Sequence, residues 1–109
     1  MDLIIKLTND DEFILLDITR LYNGRKLHNY NTLVDIQEFL DLQRLFCGQI
    51  TNVDINNMRE ANTEIFMCFN TDRSEIVAGI DVCGNSSTIY FNENDIEIIS
   101  AALASHKPS

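Results

Sequence analysis

Glycine is scarce in this 109-residue chain, and none of its four copies sits in a G-x-G-x-x-G or G-K-S/T context. That removes the glycine-rich loops that cradle phosphates. Histidine occurs only at His28 and at His106, close to the single proline, Pro108. A metal centre or a His-based catalytic dyad therefore lacks material, and no cofactor is expected. The three cysteines, Cys47, Cys68 and Cys83, form no C-x-x-C pair. They read as reduced thiols acting as small apolar groups, which points to the cytoplasm. Serines lack the nucleophile-elbow sequence. No apolar run approaches transmembrane length, and the opening MDLIIKL has an acid at position 2 and too short an apolar run for an export signal. No internal repeat or low-complexity segment is visible.

Positive charge is the scarcest commodity. Eight Lys and Arg residues stand against seventeen Asp and Glu, a formal net charge of −9. A phosphate backbone is repelled by such a chain, so direct nucleic-acid binding is not expected. A basic protein is attracted, and its association is accelerated.

What remains is ordinary globular material, 45% hydrophobic and 23% charged, enough for one α+β domain over residues 1–104 followed by a flexible tail at 105–109. Its centre is an antiparallel β-meander: Thr63 to Asn70, Glu75 to Cys83 and Thr88 to Asn92, separated by the turn formers of TDRS and GNSS. Period-two alternation gives one apolar face of Ile65, Met67, Phe69, Ile76, Ala78, Ile80, Val82, Ile89 and Phe91. If Thr71 to Ser74 form the first turn, Asn70 pairs with Glu75, Cys68 with Val77, Phe66 with Gly79, and Glu64 with Asp81. Cys68 and Cys83 then lie roughly 20 Å apart along the sheet and cannot bridge. Tyr90 opposes Gly79 or Asp81, depending on the length of the second turn.

The other face of the meander carries Glu64, Phe66, Asp81 and Tyr90. Either a helix covers it and its carboxylates sit at a wet margin, or it is an exposed, acidic and aromatic anchor for a basic partner.

Around the meander, Asp2 to Thr8 alternates like a strand and is expected to join the same sheet, making three to five strands in all. Asn9 to Asn23 reads as a helix through Ile14, Leu15, Ile18, Leu21 and Tyr22, with Thr8 capping. A strand ending in an Asn23-Gly24 hairpin is the alternative. Arg25 to Asn31 reads as a link holding a small basic spot. Thr32 to Cys47 reads as a helix capped by Thr32 with Asp35, its stripe Leu33, Ile36, Phe39, Leu40 and Cys47 with Phe46 at the edge, ended by Gly48. Val34, Leu42 and Leu45 fall outside that stripe and suit either a second packed layer or a partner. Gln49 to Ile55 reads as a loop with a short edge strand, and Asn57 to Asn62 as one helical turn. The last helix is capped by Asn94 with Glu97 and buries Ile96, Ile99, Ala102 and Leu103. Two or three helices result, one of them C-terminal.

Two further acidic groups stand out as binding candidates: Asp10, Asp11 and Glu12, and Glu93, Asp95 and Glu97 at the start of the last helix. Glu64 and Asp81 have the residue types of a glycosidase pair, but no long loops shape a cleft around them. The expectation is a binding protein and not an enzyme.

In size, acidity and mixed α/β element order, the whole chain resembles the small cytoplasmic immunity proteins that neutralise bacterial toxin domains, including those of contact-dependent inhibition. The resemblance implies an inhibitor of a basic toxin or nuclease domain and transfers no residue roles; a monomer is expected for the free chain, with a homodimer as the alternative. Two alternatives remain open: a phage-encoded inhibitor of a defence nuclease, and a dimeric secretion chaperone using Val34, Leu42 and Leu45. No membrane partner is expected.

Overall fold

Alternation of side chains across the pleat decides most of this fold. The computed structural model describes residues 2–57 and 63–108. Within them the order is β1 (Asp2–Asp10), β2 (Phe13–Tyr22), β3 (Arg25–Val34), α1 (Ile36–Phe46), β4 (Asn52–Asn57), β5 (Thr63–Phe69), β6 (Ile76–Val82), β7 (Asn85–Phe91) and α2 (Glu93–Ser105). Two antiparallel sheets result, β1-β2-β3 and β4-β5-β6-β7, with α2 at the C-terminal end: an α+β fold. Residues 58–62, where a helical turn was expected, lie outside the described residues.

The segment expected to be a helix, Asn9 to Asn23, is instead the central strand of the first sheet. Ile14, Leu16 and Ile18 are buried on one side, while Tyr22, which the helical stripe needed inside, is 57% exposed. Ile14 and Ile18 satisfy both periods, so the deciding signal is the turn. Asn23 and Gly24 both have positive φ, 51° and 76°, the primed-turn signature that pairs Tyr22 with Arg25. The expected link Arg25 to Asn31 is thereby a strand. Asp2 to Thr8 is a strand as expected, but it pairs with β2 in a separate sheet and not with the meander. A Cβ added at Gly24 would meet nothing within 4 Å. Gly24→Ala is therefore expected to cost about 1 kcal/mol from left-handed backbone strain alone, read as a lower urea midpoint at unchanged slope.

A single residue separates each helix from the strand before it, and each helix is capped by a different pair from the one expected. Asp35, not Thr32, caps α1 in a capping box with Glu38; Thr32 is a buried strand residue. Asn92, not Asn94, caps α2 in a box with Asp95. The buried stripe of α1 is Phe39, Leu42, Leu45 and Phe46, whereas Ile36 and Leu40 are more than 40% exposed and Cys47 is exposed. Gln43, which seemed to interrupt the stripe, donates its side-chain N–H to the Leu103 carbonyl at 2.7 Å and ties α1 to α2.

The meander register is as read: Glu64 opposes Asp81, Phe66 opposes Gly79, and Cys68 opposes Val77. The second turn is Cys83-Gly84, again with two positive φ values, so β7 starts at Asn85 and Tyr90 opposes Val77, not Gly79 or Asp81. Cys47 and Cys83 are exposed and Cys68 half-buried, so none is the core thiol expected. In the first turn the Ser74 hydroxyl (2.6 Å) and its backbone N–H (3.0 Å) both donate to Asp72 Oδ1 and hold that carboxyl below its ordinary value. Ser74→Ala is expected to raise it, measured by NMR titration. The stabilisation from this contact is present above the ordinary carboxylate range and fades as pH falls through the lowered value.

The chain also carries a structural repeat that its sequence hides. Each half is a three-strand meander (β1-β2-β3, β5-β6-β7) running directly into a boxed helix. At constant spacing, Val34 matches Phe91, Asp35 matches Asn92, Glu38 matches Asp95, Leu42 matches Ile99, and Phe46 matches Leu103. All are buried apolar or capping positions. One apolar core joins the halves, drawing on both sheets and both helices.

Candidate protein-binding face

The inward face of β4-β5-β6-β7 supplies Val53, Ile55, Ile65, Met67, Ile76, Ala78, Ile89 and Phe91 to the core. Its outward face is fixed by the same pleat and forms three cross-strand rows. Asn52, Cys68, Val77 and Tyr90 make one; Asp54, Phe66, Gly79 and Thr88 the next; Asn56, Glu64, Asp81 and Ser86 the third.

No helix among the described residues lies over these rows. Phe66 is 46% and Tyr90 59% exposed, and Asp54, Glu64 and Asp81 are exposed. The face is exposed and not helix-covered among the described residues. Three of the twelve positions are acidic and none is basic. Glu64 and Asp81 face each other directly, an unfavourable like-charge pair for the isolated sheet. The backbone N–H of Gly84 donates to Asp81 Oδ1 at 2.9 Å and holds that carboxylate in place. Gly79 brings no side chain, so the surface dips there into a shallow groove of about 280 Å³ bordered by Glu64, Phe66, Asp81, Ser86 and Thr88. Tyr90 stands about 13 Å from the acidic pair along the strands, at the usual rise.

The structure does not gather the remaining acidic candidates here. Asp10, Asp11 and Glu12 are exposed at the β1–β2 turn. That turn lies by the far end of α2, where the Asn9 side chain donates to the Lys107 carbonyl at 3.1 Å and its Oδ1 lies 2.7 Å from His106 Nε2. Those contacts, with the His106 ring edge-on to Phe39, hold His106 and Lys107 of the stretch expected to be a flexible tail. Glu93 and Glu97 are exposed at the amino end of α2. Asp95 is not a surface group: it is 4% exposed and paired with Arg20 at 2.9 Å, so it serves the fold and not a partner.

Asp54 is the residue that reading the sequence missed. It shares a row with Phe66, and the signal was its position between Val53 and Ile55, legible only once Gln49 to Ile55 is recognised as mostly strand.

Among the described residues, no group of three or more His, Cys, Asp or Glu side chains is placed to hold a metal ion. No helix among them is long and apolar enough to cross a membrane. The hydrophobic docking surface considered for a chaperone does not exist, since Val34, Leu42 and Leu45 are each at most 1% exposed.

No family model matches the chain, and no curated protein matches it. Among solved structures, the fold is similar to that in the crystal structures of MRP1/MRP2 from Trypanosoma brucei, with a TM-score of 0.63 at 13% identity, over 94% of this chain and 71% of that one. At that identity the likeness concerns the fold.

Proposed function

We propose that this chain acts by binding a basic protein on the outward face of β4-β5-β6-β7, as an inhibitor that covers a cationic active-site or substrate-binding surface. The immunity-protein reading, with a toxin or nuclease domain as target, is the concrete form of that proposal. One observation carries it: a sheet face, uncovered by the described residues, whose twelve outward positions pair two exposed aromatics with three carboxylates and include no base. Desolvated aromatics give a protein interface its strongest anchors, while surrounding charges of one sign set orientation and association rate. The chain's net charge of −9 acts in the same direction at longer range.

The test is affinity capture from the native host, followed by titration calorimetry of the recovered partner at rising ionic strength. The expected partner is basic, and its affinity falls as salt shortens the Debye length from about 10 Å at 0.1 M to about 3 Å at 1 M. A salt-insensitive complex, or turnover of a small substrate by the purified chain, counts against the proposal.

A further inference from the structure

We propose that the cleft between the two sheets is a binding site for a small, uncharged, mainly apolar molecule with a single hydrogen-bonding head, of the medium-chain or aromatic alcohol class. The cleft has a volume of about 380 Å³, within the range of small-molecule sites. At the roughly 30 Å³ that a water molecule occupies in the liquid, that is room for about a dozen non-hydrogen atoms.

Its interior is apolar and protected: Ile18, Ile65, Met67 and Ala78 line it and are each at most 5% exposed. Its mouth carries two exposed polar residues, Ser87 and Asn31, beside Val82, which is 42% exposed. Four consecutive residues of β3, Asn29 to Thr32, form one wall. β3 is an edge strand of its sheet, so backbone polar groups as well as side chains border the opening. Among the described residues no Asp, Glu, Lys, Arg or His lines the cleft, although such charges are plentiful elsewhere. A charged ligand would lose its hydration there with no counter-charge in return, so the site selects a neutral one. This cleft opens between the sheets, on the side of the second sheet opposite the proposed protein-binding face, and adjoins the groove of that face only at Ile80 and Ser87.

The probe is 1-octanol, followed through the ¹³C-methyl NMR signals of isoleucine. Saturable shifts are expected at Ile18, Ile65 and Ile89 and none at Ile36, which is exposed on α1. Ala78→Leu fills the floor and Ser87→Leu narrows the mouth; each is expected to weaken octanol binding at least tenfold. Because Ser87 is exposed, its variant keeps the test valid if the core variant does not fold. Octanoate is expected to bind at least tenfold more weakly than octanol. The proposal is overturned by shifts that never saturate, by both variants binding octanol like the parent, or by octanoate binding as well as octanol. It is equally overturned if octanol has no effect and an extended peptide alone perturbs the β3 amides, because the edge would then recruit a strand.

Discussion

Changing Glu64 and Asp81 together to lysine is expected to weaken binding of the captured basic partner by more than an order of magnitude while leaving the thermal midpoint nearly unchanged. The two halves of this expectation have different origins. In the free chain the carboxylates oppose each other across β5 and β6, and substituting two cations keeps the pair alike in sign, so the local repulsion is similar. Against a cationic surface the exchange turns two attractions into two repulsions. Close charge pairs at protein interfaces show coupling energies of about 1.5 kcal/mol or more, and two such losses exceed a factor of ten. The deficit should shrink as salt rises. Phe66→Ala is a second arm. It removes a ring that is already 46% exposed, so its cost to folding is small and its cost to binding is that of an anchor residue, about 2 kcal/mol. Reversing Asp10 and Glu12, at the turn beside the far end of α2, is the control and should leave affinity within a factor of about two at physiological salt. If the control weakens binding and the sheet variants do not, the partner sits on the hairpin tip.

The meander was legible because three short strands with clear turn formers admit only one parity that keeps their apolar residues together, and that parity also fixed the acidic and aromatic face. The first sheet was harder to read. Phe13 to Leu16 is four apolar residues in a row, a run that carries no period, and the flanking Ile18 suits helix and strand alike. Only Asn23-Gly24 separates the two. The helix starts failed for a related reason. Thr32 precedes Asp35 by three residues, and Asn94 precedes Glu97 by three, so each false box overlaps a true one, Asp35 with Glu38 and Asn92 with Asp95. Capping chemistry identifies a helix start, but here the length of the preceding strand decides which start is used. The repeat stayed hidden because its matched positions share burial or capping roles and not side chains: Leu42 with Ile99, Glu38 with Asp95.

Removing the Arg20 guanidinium should destabilise the chain more than any surface change considered above. Asp95 is where the two halves of the molecule meet. Its Oδ2 accepts from Arg20 Nη2 at 2.9 Å and from the Asn92 backbone N–H at 3.1 Å, and its Oδ1 faces Arg20 Nη1 at 3.4 Å. One carboxylate therefore closes the first turn of α2 and fastens it to β2, with both side chains at most 13% exposed. Breaking one side of a buried pair strands an unpaired charge, which costs about 3–5 kcal/mol, a fifth or more of the ~5–15 kcal/mol by which a typical domain is stable. Arg20→Met keeps much of the side-chain bulk while removing the charge, so a large loss from it is electrostatic in origin. Asp95→Asn retains an acceptor for the cap but leaves the guanidinium unpaired. If the buried charges oppose each other as the geometry shows, the double variant recovers most of the loss, because neither ion is then left without its partner. Urea midpoints of the parent, the two single variants and the double variant complete the cycle. A double variant as unstable as the sum of the singles would mean that Arg20 holds the halves together through contacts other than the ion pair, such as its 3.5 Å hydrogen bond to the Tyr90 carbonyl.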